Sequence, residues 1–434
     1  MARIALLVLF AALVCQAFAT SSFYTDNYRG QSIPMGKMEY QQKKNVQQDL
    51  LDLMGLYSKP NPRANRKIIQ SASRFMMDLY ESLKDLDDMG QSVEDTHIHI
   101  SSRVNASALG LDPAKVEGSD VIVSFVNYAR KIPHLRHKRD SAFYFDFSEV
   151  SVTEQVMGAE LRIYKEATPD VKFRGQSFKI ELYAFKQGRN WEEQVLKLES
   201  SLEVTADTKG WLLLDATQIA REWTLFPHTN MGLFLKVVDS NGKELHPHDL
   251  GIVGRKGAAE RQPFLVGYMS VSQQVLERRS RAVRSLRSRR WAALDGTSFQ
   301  DNPYTEFSRH RRDVPGNSWS ASYENIRSHK NCQKHNLYIN FRDIGFDHKF
   351  LIAPDGYRAF YCAGDCSFPL GIHMNATNHA IVQTLVHLMN PDDVPNPCCA
   401  PTQFGAITLL YYDDNTSVVL QRFRNMIVTA CGCH

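Results

Sequence analysis

Apolar residues crowd the start of the chain. Ile4 to Val14 is an unbroken apolar run behind the cation Arg3, and it leads into the small-x-small triplet Ala17-Phe18-Ala19. This order predicts a signal peptide over 1–19, cut after Ala19. The run falls short of the roughly 20 residues a membrane span needs. No later stretch comes close, so no membrane insertion is expected. Residues 20–37 are polar and are expected to be irregular. From Met38 to Met54 the spacing turns helical: Val46, Leu50, Leu53 and Met54 share a face, with Gly55 where a C-cap belongs. Lys59-Pro60-Asn61-Pro62 interrupts the pattern, and a second helical stretch follows around Phe75, Met76, Leu79 and Leu83.

From 141 to 275 the period shortens to two. Phe143, Phe145 and Phe147 alternate with other residues. Leu161-Arg-Ile-Tyr-Lys165, Phe178-Lys-Ile-Glu-Leu-Tyr183 and Leu233-Phe-Leu-Lys-Val-Val238 are rich in β-formers, and Asn241-Gly242 is a turn signal. Near the end, Leu337-Tyr-Ile-Asn-Phe341, Ile407-Thr-Leu-Leu-Tyr-Tyr412 and Val418-Val-Leu-Gln-Arg-Phe423 read as long strands, the last two joined at Asp413-Asp414-Asn415. One helix is predicted between them, from Asn378 to Met389, capped by Thr377 and stopped before Pro391. Ile381, Val382, Leu385, Val386, Leu388 and Met389 spread over more than one of its faces. A small ribbon cannot cover them all, but a second chain would.

Cysteine changes this picture most. Of eight, Cys15 leaves with the signal peptide. The other seven are Cys332, Cys362, Cys366, Cys398, Cys399, Cys431 and Cys433, and none lies between 20 and 331. In an exported chain such a block is a disulfide framework, and an odd count leaves one thiol for another chain. A two-stranded ribbon alone is marginal in water. A bond closing a loop this long contributes roughly 4 kcal/mol in the entropy model, so three rival the whole stability of a small domain. Joining the pieces 362–366 and 431–433 by two bonds would close a ring of eight residues, with Gly364 leaving its opening clear. Six cysteines admit fifteen pairings, however, and spacing alone chooses none.

The net charge of +4 is local in origin. Arg278 to Arg312 holds ten arginines against three acidic residues, whereas from Asp313 onward eight Lys/Arg face ten Asp/Glu. The basic balance therefore describes a linker, not a nucleic-acid-binding face. Within it, Arg287-Ser-Arg-Arg290 and Arg309-His-Arg-Arg312 have the form cut by secretory proprotein convertases, after Arg290 and after Arg312. Arg136-His-Lys-Arg139 has the same form but reads as a solvated loop near the strands. Sequons at Asn105, Asn375 and Asn415 suit the export route. No nucleophile-elbow, zincin, P-loop or dinucleotide motif occurs, His97-Ile-His99 has no third ligand nearby, and adjacent Cys398-Cys399 is not zinc spacing. The chain is not expected to be an enzyme or to hold a metal or cofactor.

Asn375-Ala-Thr-Asn-His-Ala-Ile-Val-Gln-Thr-Leu-Val-His387, Pro397-Cys-Cys-Ala-Pro-Thr402 and Cys431-Gly-Cys-His434 closely resemble the ligands of the transforming growth factor-β superfamily. The nearest likeness is to bone morphogenetic proteins of the branch of types five to eight. Upstream, 38–83 is similar to that branch's prodomain helices, and Gln262-Pro-Phe-Leu265 to the end of its β arm. The resemblance implies a signal peptide 1–19, a prodomain 20–290 of α+β class (helical 38–83, β-rich arm 141–275), and a basic processing linker 278–312. A flexible segment 313–331 and a disulfide-rich β growth-factor domain 332–434 follow, a cystine knot with paired β-ribbon fingers and one helix.

It further implies the pairs Cys332–Cys399, Cys362–Cys431 and Cys366–Cys433, with Cys398 joining two copies. Type II receptors would meet Ala353, Thr408, Leu410 and Leu420. Type I receptors would meet Phe346, Phe350 and Phe368-Pro369-Leu370, where the family commonly has Trp at both 346 and 350. The expected partners are a second copy or a related ligand, type I and type II receptor serine/threonine kinases that act through Smad proteins, its own prodomain, and extracellular antagonists. Helix 38–54 is expected to shield the growth factor's apolar surfaces. A secreted cystine-knot antagonist or structural protein is the alternative, and the tandem basic sites and the apolar helix argue against it.

Overall fold

The computed structural model describes residues 22–26, 32–37, 40–54, 56, 59, 70–87, 110–129, 132, 135, 141–151, 154–168, 171–173, 175–188, 194–271, 331–413 and 417–434. Ala19, Asn105, Arg290, Arg312 and Asn415 lie outside them, as do His97, His99 and the whole basic linker. The first correction to the sequence reading falls in 20–37. Strands β1 (Ser22–Asp26) and β2 (Ser32–Lys37) pair antiparallel there, where Phe23, Tyr24, Thr25 and Ile33 are good β-formers.

Helix α1 spans Tyr40–Met54 and α2 spans Gln70–Asp87. In α2, Ala72, Phe75, Met76, Leu79 and Leu83 recur at three- and four-residue steps and are all buried. A short helix α3 (Pro113–Glu117) leads into β3 (Val121–Val126), so strand structure begins before 141. All six β3 residues are buried, which removes the alternation that marks a half-exposed strand. The arm continues through β4 (Ala142–Phe143), β5 (Glu154–Lys165), β6 (Ser177–Gln187), β7 (Gln194–Thr205) and β8 (Gly210–Asp215). Helix α4 (Thr217–Leu225) then buries Ile219, Ala220 and Trp223, and β9 (Leu233–Asp239), β10 (Glu244–Leu245) and β11 (Phe264–Val271) complete the arm.

Two sheets sandwich the arm core. One orders β10-β9-β6-β7, with β4 on β9. Phe143, Phe145 and Phe147 all point into the core between them, Phe147 stacking on Phe125 and meeting Trp223 edge-on. A cation is buried there too: Lys165 Nζ donates to the carbonyls of Ala206 (2.7 Å) and Glu166 (3.1 Å) and to Thr168 Oγ1. Burial pulls its pKa down.

The C-terminal region is built from β12 (Gln333–His335), β13 (Tyr338–Asn340), the short helix α5 (Phe341–Ile344), β14 (Leu351–Ala353), β15 (Gly356–Arg358), β16 (Tyr361–Ala363), α6 (Asn378–Met389), β17 (Cys399–Tyr412) and β18 (Val418–Cys433). Helix α6 starts where Thr377 Oγ1 accepts from Ala380 N at 3.1 Å and ends at Met389, two residues before Pro391. Strands β17 and β18 pair antiparallel along nearly their whole length. Their ribbon does not stand alone: the second arm sheet orders β14-β17-β18-β3-β11-β5-β8, running without a break from the C-terminal region to the arm.

Candidate functional site

Three disulfides gather at the base of the ribbon: Cys332–Cys399, Cys362–Cys431 and Cys366–Cys433, with Cα atoms 5.4, 5.7 and 5.8 Å apart. The second and third close the eight-residue ring, and the first passes beside Gly364. Gly364 holds φ at 122°, and a Cβ there would overlap the Asn331 carbonyl. The Sγ atoms of Cys332, Cys366 and Cys433 lie within 4.8 Å of one another, but each is already in a disulfide and offers no thiolate to a metal.

Cys398 is a free, exposed thiol. Its backbone exchanges two hydrogen bonds with the C-terminal His434, 2.8 and 3.0 Å long, which hold it at the ribbon base. Beside the knot, α6 turns Ala380 and Thr384 inward. It leaves Ile381, Val382, Leu385, Leu388 and Met389 exposed, Met389 by 77%. So much apolar surface on a twelve-residue helix is what a protein–protein contact leaves uncovered. Asn375, just ahead of the helix, is exposed, with Nδ2 3.5 Å from Thr402 Oγ1.

Along the ribbon, Ala353 pairs with Leu410, Leu410 with Leu420, Leu420 with Ile122 of the arm, and Ile122 with Tyr268. Cross-strand partners share a face, so these five residues form one row over both regions. Helix α2 lies across that row, packing Phe75, Met76, Leu79 and Leu83 over Leu410 and Leu420, which are both 0% exposed. Thr408 is buried as well. With Ala353 half-buried against the same cluster, these four positions are covered by the N-terminal region, a tertiary outcome that nothing in the local sequence signals.

Phe346 and Phe350 are also inside, 2% and 0% exposed. They form an aromatic chain with Phe341 and Tyr411, with ring centroids 5.3 to 6.3 Å apart. Burial pushes the nearby Tyr357 phenol up to about 12, so it packs as a neutral ring. Leu51 of α1 is buried in the same core. By contrast Phe368 is exposed, while Leu370 packs against the knot cluster. Gln47 Nε2 and Lys59 Nζ both donate to the Gly345 carbonyl, at 3.3 and 3.2 Å, and Lys59 also pairs with Asp347 at 3.2 Å. That pair is partly exposed, so its worth is small. Lys59→Ala is expected to weaken binding between residues 1–271 and residues 313–434, produced as two chains, by less than about fivefold. Biolayer interferometry at low and high salt checks this, and the difference should shrink as salt rises.

A knot at the base of a paired ribbon, an unpaired surface cysteine and an amino-terminal region folded over the ribbon define the precursor of a cystine-knot growth factor. Residues 27–268 match the TGF-beta propeptide family, and 331–433 the transforming growth factor beta like domain. Protein 60A of Drosophila melanogaster is 33% identical over 434 residues, covering 95% of this chain and 92% of its own. Bone morphogenetic protein 8A of Mus musculus is 35% identical over 406 residues, and that of Homo sapiens 34% over 410, each covering 92% of both chains. The chain belongs to the transforming growth factor-β family, as a bone morphogenetic protein-like growth factor with its propeptide. Among the described residues, no helix is long and apolar enough to cross a membrane.

Proposed function

We propose that this chain is a secreted precursor, exported by residues 1–19 and cut by a furin-like convertase after Arg290, after Arg312 or at both. The growth factor then acts as a dimer joined through Cys398. It brings type I and type II receptor serine/threonine kinases together, and Smad proteins carry the signal inward. Type II receptors take the surface formed by Ala353, Thr408, Leu410 and Leu420. Type I receptors take the region of Phe346, Phe350 and Phe368-Pro369-Leu370, completed by the partner's α6. Glycans at Asn105, Asn375 and Asn415 belong to the same export route. The propeptide stays on after cleavage and shields these surfaces until receptors compete for them.

The observation that carries this reading is the free, exposed Cys398 beside a helix with five exposed apolar residues. Both features ask for a second copy, one covalently and one by burial. A non-reducing gel of the secreted product tests it. The wild type should run as a dimer of the cleaved fragment, halved by reductant. Cys398→Ser should run as a monomer on the same gel and lose most Smad phosphorylation in responsive cells. A reductant-independent monomer from the wild type would sink the proposal.

A further inference from the structure

The seam between β3 and β18 raises a question of register. Val121–Ser124 pairs with Val418–Gln421 through backbone hydrogen bonds, which do not read sequence. Hydrophobic alternation usually fixes register, because a one-residue slip sends apolar side chains to solvent. Strand β3 has no such protection: Val121-Ile-Val-Ser-Phe-Val126 is buried on both faces, and a slipped pairing would still bury apolar residues.

We propose that Asp120, at the head of β3, is the register lock by which the propeptide recognises this growth factor, with Arg424 as its counterpart. Asp120 Oδ1 accepts from Arg424 Nη2 at 2.7 Å. Its Oδ2 accepts from Val271 N at 3.0 Å and Ser270 Oγ at 3.2 Å, so strand β11 orients the carboxylate before the growth factor arrives. Its backbone carbonyl accepts from Arg422 N at 3.0 Å and continues the ladder by one bond. The two side chains are 13% and 27% exposed, dry enough for the pair to discriminate. At the other end Ser124 Oγ reaches Val418 O at 3.4 Å, too long to set register. A slip in either direction separates Asp120 from Arg424 and leaves a largely covered carboxylate without that cation. The lock also sets function: it keeps Ile122 opposite Leu420, and so keeps α2 over the row that it covers. A growth factor with a neutral residue in place of Arg424 would be held less well by this arm.

This inference rests on the reading that the propeptide remains with the cleaved growth factor. Propeptide dissociation from the captured growth factor is therefore measured for the cleaved wild-type precursor, Asp120→Asn, Arg424→Gln and the double variant. Asp120→Asn keeps a side-chain oxygen as acceptor for Val271 N, and Arg424→Gln leaves the propeptide chain untouched, so the two single variants fail independently. Each is expected to weaken association about tenfold, and the double variant no more than either alone. Hydrogen exchange at 418–421 should quicken in parallel. Single variants within about twofold of wild type, or losses that multiply in the double variant, would overturn the lock alone. A wild-type propeptide that does not associate at all overturns the shielding reading and the lock with it.

Discussion

Gly364→Ala is expected to block the cystine knot and remove most of the secreted protein. The added Cβ would overlap the Asn331 carbonyl oxygen, 2.6 Å from its carbon and 2.9 Å from the Cys332 nitrogen. These are backbone atoms, so no rotamer change makes room. Relief requires moving Asn331-Cys332 away from the ring, which draws Cys332 from Cys399. Losing that closure forfeits roughly 4 kcal/mol, against a total of about 5–15 kcal/mol for an ordinary domain. The positive φ of 122° adds strain of its own. Gly242→Ala separates the two effects: its φ is 78° but nothing lies within 4 Å of its Cβ position. It should cost only about 1–2 kcal/mol. Yield and disulfide mapping by mass spectrometry decide. Wild-type yield of Gly364→Ala with all three bonds in place would show that the ring tolerates a methyl group.

What the sequence makes legible here are features encoded within a few residues. Helix Asn378–Met389 has a hydroxyl cap at one end and a proline beyond the other, and both act locally. The ribbon is legible because its β-formers flank Asp413-Asp414-Asn415. Gly364 stands out because a cysteine lies two positions away on each side, Cys362 and Cys366. Features that depend on distant partners are silent. Strand β3 reads as an apolar run of ambiguous type, and its pairing with Val418–Gln421 spans about 300 residues of chain. The burial of Leu410 and Leu420 under α2 has the same cause. Helix α4 is different, since Ile219, Ala220 and Trp223 do carry helical spacing. It was masked by the strand-like text around it. Phe346 and Phe350 are silent for the same reason: two aromatic residues near a turn do not reveal that α1 brings Leu51 into their core.

Glu160→Ala is expected to destabilise the precursor by about 3–5 kcal/mol and to loosen α2 before the arm unfolds. Glu160 sits opposite Val266, a member of the cluster that α2 covers, and holds two cations, Lys115 at 2.7 Å and Arg162 at 3.1 Å. Arg162 is only 1% exposed, also donates to the Gly110 carbonyl, and lays its guanidinium 4.2 Å from the Phe75 ring centroid. Phe75 is one of the α2 side chains in the cluster over Leu410 and Leu420. Without the Glu160 carboxylate, a guanidinium that cannot shed its proton is drawn toward water, and Phe75 stacks directly over it. The cost thus falls first on α2 and on the row beneath it. Thermal unfolding measures the total, and hydrogen exchange at 72–83 and 408–420 locates it. A paired replacement, Glu160→Leu with Arg162→Leu, removes both charges and fills the space with apolar atoms, so it should recover most of the lost stability. If the paired variant is as unstable as Glu160→Ala, hydrogen bonding to Gly110 rather than charge compensation anchors α2. If exchange at 72–83 is unchanged in both, α2 is held by its apolar face alone.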